Sequence, residues 1–209
     1  MLHSALAFAV FAAVITITPG LDTVLVLRTA AVDGRRPAFA AATGIALGCL
    51  CWASASALGI TALLTASRLG YDILRWAGAA YLCWLGVRLW WRARVPVDLA
   101  EVPVDAAVTR GAVEAFRVGL TTNLLNPKVG VFYLSVLPQF LPDGVPPLLA
   151  SAALGAVHVG EGLLWFAALI TVVGRAGRWF SRPAVRRRLD QVSAVVFVGL
   201  GVRLAASRV

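Results

Sequence analysis

Four ionisable side chains sit inside long apolar runs: Asp22, Lys128, His158 and Glu161. Lys128 is the single lysine of the chain, and every other basic residue is arginine. A charge at the centre of a bilayer costs about 3 kcal/mol on insertion scales, so such groups face a bundle interior, pair with one another or carry function. An acid and an ammonium placed this way have the charges to hold a zwitterion. Carboxylates and an imidazole can also take up and release protons. Asp22 follows Thr18-Pro19-Gly20, and Lys128 closes Asn126-Pro127-Lys128. Thr and Asn are good helix N-caps, and proline suits the first helical turn. Each triplet therefore reads as a helix that stops and restarts. A restarting half-helix aims unpaired N–H groups and a positive dipole end into the bundle, which suits a carboxylate. A plain proline kink accounts for either break alone; two breaks at matching places favour the restart. A purely structural Asp22–Lys128 ion pair is the competing account of the two charges.

His158, Glu161 and Trp165 are spaced i, i+3, i+7 and so share a helix face. That makes His158 and Glu161, with Asp22, the candidates for proton coupling, and Trp165 a packing residue. Asn123 and Asn126 lie one turn apart, and unpaired amides in hydrocarbon are costly, so both are expected against a partner helix or a wet cavity. The candidate substrate-binding set is Thr18, Pro19, Gly20, Asp22, Asn123, Asn126, Pro127 and Lys128. Gly44 and Gly48 form a small-xxx-small pattern, the mark of close helix packing. Tyr71 and Tyr133 read as interface anchors or bundle contacts. No catalytic constellation is apparent, and neither a cofactor nor a metal is expected.

The elements that must position these residues follow from composition. The 209-residue chain is 60% hydrophobic and only 14% charged, with a mean hydropathy of +0.84. Soluble domains are nearer half apolar and a quarter charged, so the expectation is an all-α integral membrane protein. Hydropathy suggests six transmembrane helices near 5–27, 38–64, 72–91, 118–141, 146–173 and 190–206. The N-terminal run has no Lys or Arg ahead of its apolar core and continues to Leu27, so it reads as a retained first helix rather than a signal peptide.

The net charge of +9 is mostly a topology signal. Arg28, Arg35 and Arg36 flank the first loop, Arg88, Arg92, Arg94, Arg110 and Arg117 the third, and Arg175, Arg178, Arg182, Arg186, Arg187 and Arg188 fill the fifth. The opposite side holds only Arg68, Arg75, Arg203 and Arg208. The positive-inside rule places loops one, three and five in the cytoplasm and both termini outside it. Nucleic acid is not an expected partner. Loop five also reads as a short interfacial helix on anionic headgroups, with membrane lipid its partner. Cys49, Cys51 and Cys83 lie in apolar runs without metal-site or disulfide spacing and read as buried small hydrophobes.

The two breaks are offset by 108 residues, and the same offset carries the second span onto the fifth and, more roughly, the third onto the sixth. The chain therefore reads as one domain, 1–209. Repeat one is 1–92, a cytoplasmic linker 93–116, and repeat two 117–209. Three spans per repeat require the second to be inverted. Inverted repeats with helices 1 and 4 broken point to a secondary transporter.

TPGLDTVLVLRTA at 18–30, DGRRPAFAAATGIALG at 33–48, AGAAYLCWLGVRLW at 77–90 and FRVGLTTNLLNPKVGVFYLSVLPQF at 116–140 resemble the LysE/RhtB family of bacterial amino-acid exporters. The resemblance covers most of the chain, and NPK followed by LPQF is its most specific part. It implies a multi-pass protein of the bacterial inner membrane that exports amino acids or their derivatives, driven by the proton gradient as an antiporter. It also implies roles for Pro19, Gly20, Asp22, Asn126, Pro127 and Lys128. A homodimer is the expected assembly. Leu21 stands where the family often has a second proline, which softens the first break. Glu161 lies outside the family pattern and would suit a substrate with an extra positive charge, such as lysine or arginine. Two other readings stay open. A metal or inorganic-ion transporter would use Asp22, His158, Glu161 and Cys49. A membrane thiol–disulfide carrier would want a cysteine in each repeat, whereas all three lie in the first.

Overall fold

A computed structural model describes residues 2–66, 68–92, 111–142, 144–172 and 183–206. Every regular element among them is helical: α1 (Leu2–Ile17), α2 (Leu21–Val32), α3 (Arg35–Ala66), α4 (Arg68–Arg92), α5 (Ala112–Leu124), α6 (Pro127–Val131), α7 (Pro147–Thr171) and α8 (Pro183–Ala206). Between α6 and α7 run a π-helical segment, Phe132–Val136, and a 3-10 turn, Leu137–Phe140. Within the described residues, α3 (over Arg35–Gly59) and α7 are long and apolar enough to cross a membrane, and α1 with α2 makes a third span if the bent pair counts as one. Residues 93–110, most of the expected linker, and 173–182, much of the fifth loop, lie outside the described residues; α5 already begins at Ala112 and α8 at Pro183.

The first predicted span is two helices meeting at 54°. Thr18 ends α1: its N–H and its hydroxyl both donate to the Val14 carbonyl, at 3.1 and 2.6 Å. Pro19 has no N–H to extend the ladder. Gly20 stands extended at the N-cap of α2 without a side-chain cap, and its carbonyl accepts the first bond of that helix from Val24 N–H at 3.0 Å. Thr18 is thus the closing residue of α1 and not the cap of α2. Gly34, at φ +93°, ends the α2 segment: its N–H and that of Asp33 return to the Thr29 carbonyl, a left-handed cap that favours glycine.

The fourth predicted span breaks more thoroughly. α5 stops at Leu124, Asn126 caps α6 with its side chain accepting from the Lys128 N–H at 3.1 Å, and Pro127 takes the first turn. This is the cap-then-proline order expected here. α6 lasts only five residues before the backbone widens into the π segment. That widening carries Phe132, Tyr133 and Val136 into the core, where all are fully buried.

Packing is led by α3, which lies along α5 and α7, while α4 pairs with α8. The α3–α5 seam is built on glycine. A Cβ on Gly44 would stand 2.1 Å from the Phe116 carbonyl oxygen, and one on Gly119 would stand 2.2 Å from that of Ala41. Gly44 is therefore a packing residue, as its pattern suggested. Gly86 and Gly201 do the same between α4 and α8, where a Cβ would come within 2.8 Å of the Ala194 and Ala79 carbonyl oxygens.

Two apolar clusters flank this frame. One joins Phe8, Phe132, Tyr133, Leu137 and Phe140 to Cys49 and Leu154. The other joins Val26, Ala42, Ile45, Phe166 and Ile170, with Trp165 packed against it. Leu164 of α7 and Trp76 and Trp91 of α4 are exposed, as an outer surface solvated by lipid requires.

Candidate functional site

Both helix breaks open onto one cavity of about 50 Å³, several times the ~10–15 Å³ that a water molecule needs. Gly20, Asp22 and Thr23 line it from the first break and Lys128 and Val129 from the second. Ile45 and Cys49 of α3, Phe132 of the π segment, and His158 and Phe166 of α7 complete the wall. Asp22 and Lys128, far apart in the chain, thus come to a single chamber.

Each charge is matched to the opposite end of a broken helix. The Lys128 Nζ donates to the carbonyls of Ile15 (3.2 Å) and Thr18 (3.3 Å). These are last-turn acceptors of α1, the negative end of its dipole. A Cβ on Gly20 would lie 3.0 Å from that nitrogen, so glycine leaves the space the ammonium occupies. Asp22 sits in the first turn of α2, where a carboxylate suits the positive end. Its two oxygens accept from Asn123 Nδ2 (2.9 Å) and Asn126 Nδ2 (3.3 Å). Lys128 also acts on Asp22 through space. The half-helix starts were expected to present open N–H groups; in α6 the Asn126 side chain already accepts from one of them, the Lys128 N–H, whereas α2 has no side-chain cap. The difference is local, since asparagine stands at the cap position of α6 and glycine at that of α2.

Asn123 is fully buried, and its Nδ2 also donates to Cys49 Sγ at 3.5 Å. Gly48 makes room for it: a Cβ there would stand 2.5 Å from Asn123 Oδ1. The Trp52 indole N–H donates to the Asn123 backbone carbonyl at 3.4 Å. Asn126→Ala removes both the α6 cap and a donor to Asp22, so a loss of about 1–2 kcal/mol from the cap alone is expected in thermal unfolding. Asn126→Ser keeps a side-chain cap acceptor of similar rank without the amide donor, which separates the two contributions.

Of the other expected residues, Thr18 is buried behind the chamber, Pro19 is half-buried and Pro127 is exposed. His158 and Glu161 share a helix but not a surroundings. His158 is buried, lines the cavity and shares a 2.8 Å hydrogen bond with the Tyr133 hydroxyl through Nδ1. Glu161 is half-exposed and lies outside the lining. The lining positions of α7 are 158, 159, 162, 163 and 166, and the helical rotation of 100° per residue turns position 161 away from them.

Tyr133 was not expected at this site, and Cys49 was expected there only as part of an ion-transport site. Tyr133 is a bundle contact rather than an interface anchor; Tyr71 has no described side-chain surroundings. One signal was present: a tyrosine inside an apolar run needs a partner for its hydroxyl, and His158 supplies it. All three cysteines are free thiols; Cys49 is buried and Cys51 exposed. Among the described residues no group of three His, Cys, Asp or Glu is arranged to hold a metal ion.

A chamber formed where two broken apolar helices meet, lined by one acid and one ammonium, has the character of a membrane translocator. Over residues 13–208 the chain matches the LysE type translocator family, and it belongs to that family. It is 29% identical over 202 residues to the homoserine/homoserine lactone efflux protein of Salmonella typhimurium, covering 97% of this chain and 96% of that protein. It is 29% identical over 215 residues to the threonine efflux protein of Escherichia coli K12, covering all of both chains. An uncharacterized membrane protein of Vibrio cholerae is 30% identical over 210 residues, covering 99% of this chain and 98% of that one. No solved structure matches the chain.

Proposed function

We propose that this protein exports a small amino acid or derivative across the bacterial inner membrane by exchange with protons. The observation that carries this reading is the meeting of Asp22 and Lys128 in one chamber at the two helix breaks. A zwitterion entering from the cytoplasm sheds water, and the chamber offers compensation for both of its charges. The carboxylate takes the Lys128 ammonium, and the substrate ammonium takes Asp22, whose orientation Asn123 and Asn126 maintain. Much of the rest of the wall is apolar (Ile45, Val129, Phe132, Phe166), with the Thr16 and Thr23 hydroxyls beside it, and the cavity is small, which suits a short side chain. Relatives named for homoserine and threonine efflux support substrates of that size. Lysine and arginine are less well served, because Glu161 stands outside the lining.

In this reading the proton binds when the substrate leaves. Asp22 without its ammonium partner faces a desolvated cavity and takes a proton, with His158 across the same space as a second acceptor. Six spans in two inverted repeats, with both termini outside the cytoplasm, give the alternating movement. The breaks at the 108-residue offset and the α3–α7 and α4–α8 pairings of corresponding helices support it. The arginine distribution supports the orientation, and a homodimer remains part of the proposal.

The test is efflux of labelled homoserine, threonine and lysine from proteoliposomes under an imposed proton gradient. Gradient-driven efflux of the two small substrates ahead of lysine is expected, and Asp22→Asn should abolish it, because it removes both the partner of the substrate ammonium and a proton acceptor. Equal efflux with and without the gradient would remove the proton from the mechanism; efflux of none of the three from folded protein would remove the amino acid.

A further inference from the structure

Buried hydrogen bonds continue past Asp22. Asn123 Nδ2 has two hydrogens, one on Asp22 Oδ2 and one on Cys49 Sγ. Tyr133 is buried in the same cluster as Cys49, the two side chains act on each other, and the Tyr133 hydroxyl is 2.8 Å from His158 Nδ1. Asn123, Tyr133 and His158 are all buried, and Cys49 with them. Asn123 Oδ1 is buried without a hydrogen-bond partner, so the amide acts through its nitrogen. α2, α5, α3, the π segment and α7 each supply one member of the series.

We infer that Tyr133 and Cys49 are positioning residues that join His158 to Asp22, so that the protonation state of the imidazole is transmitted to the carboxylate through the Asn123 amide. This deepens the proton-coupling part of the proposed function and rests on it only for its biological use. With the neutral ring carrying its hydrogen on Nε2, Nδ1 accepts from the Tyr133 O–H. One added proton, ending on Nδ1, makes both ring nitrogens donors. Tyr133 Oη must then accept from Nδ1–H, and its own hydrogen turns to Cys49 Sγ. No other covalent bond changes. The sulfur is a weak acceptor and already holds an N–H from Asn123, so two donors now compete for it. The amide that loses this competition is the one that holds Asp22. A titration at one wall of the chamber thereby loosens the acid at the other.

The titratable and charged groups facing His158 are Asp22 from α2, Cys49 from α3, Lys128 from α6 and Tyr133 from the π segment; α1 offers only Ile15 and Thr16, which do not titrate. Lys128 acts on His158 through space. Glu161, on the same helix, stands outside the cavity lining. A direct field between Asp22 and His158 is the rival to a hydrogen-bonded connection, and the two make different predictions.

The experiment uses the full-length chain in lipid nanodiscs with His3→Gln, leaving His158 as the single histidine, labelled with ¹⁵N in the ring. NMR reports both its tautomer and its titration midpoint, and no substrate is involved. Neutral His158 is expected as the Nε2–H form. Asp22→Asn is expected to move the midpoint by roughly one pH unit, the scale of coupled sites. That displacement should fall to less than half in a Tyr133→Phe background. Cys49→Ala should reduce it equally, and this second variant decides the matter if Tyr133→Phe does not fold. An Asp22→Asn displacement of the same size in all backgrounds would overturn the inference, because the coupling would then be a field through space. An Nδ1–H neutral tautomer, or no displacement at all, would overturn it too. Failure of amino-acid efflux in proteoliposomes would leave these results untouched, so the two proposals fail separately.

Discussion

Lys128→Met is expected to reduce efflux by roughly 100-fold to 4,000-fold. The proposed substrate carboxylate would enter the chamber without a counter-charge, and an unpaired buried charge costs about 3–5 kcal/mol. Each 1.4 kcal/mol is about tenfold, which sets the range. The variant also leaves the Ile15 and Thr18 carbonyls without the Lys128 ammonium that bonds them now. Some loss of thermal stability should accompany the loss of transport, so rates must be compared at equal amounts of folded protein. Lys128→Arg should recover only part of the activity. The ammonium fits a space so narrow that a Cβ on Gly20 would stand 3.0 Å from it, and a planar guanidinium is larger and differently shaped. Wild-type efflux from Lys128→Met at equal membrane abundance would take Lys128 out of the binding site and leave it as a helix cap.

Gly119→Ala should have a large effect on folding. Its Cβ would stand 2.2 Å from the Ala41 carbonyl oxygen, 2.9 Å from the carbonyl carbon and 3.0 Å from Cα. These are backbone atoms that cannot rotate aside, so α3 and α5 must separate. Overpacking of this kind costs typically 1–3 kcal/mol and sometimes more, and we expect the upper end. The damage should reach the chamber, because Asn123 lies one turn further along α5, packed over Gly48. A thermal-unfolding series in detergent checks this, with Gly160→Ala as the control. No atom lies within 4 Å of a Cβ on Gly160 in α7, so that change should be neutral or stabilising by roughly 0.5–1 kcal/mol. Equal melting temperatures for the two variants would show that the glycine seam does not hold α3 to α5.

Much of this protein is determined by its sequence alone. An apolar chain with no water to satisfy its backbone must be helical, and Pro19 and Pro127 lack the N–H that a continuous helix needs, so the elements and both breaks were legible. Asn126-Pro127 even announces its cap. The family follows from motifs at the same positions. Tertiary structure decided the rest, because it depends on which faces meet. Thr18 has the chemistry of an N-cap but finds Val14 behind it, and so closes α1. His158 and Glu161 satisfy the same helical spacing, yet three residues of rotation are enough to set one at the chamber and the other outside it. Lys128 looks from sequence like a bare counter-charge, whereas the fold brings the carbonyl end of α1 to its ammonium. Apart from a tyrosine hydroxyl that an apolar run leaves in need of a partner, Cys49 and Tyr133 carry no local mark of a role. Only the π segment, by turning Tyr133 inward, and the glycine seam, by bringing α5 against α3, put them between His158 and Asp22. Local chemistry sets where a helix must stop, and close packing sets which side chains then share a space.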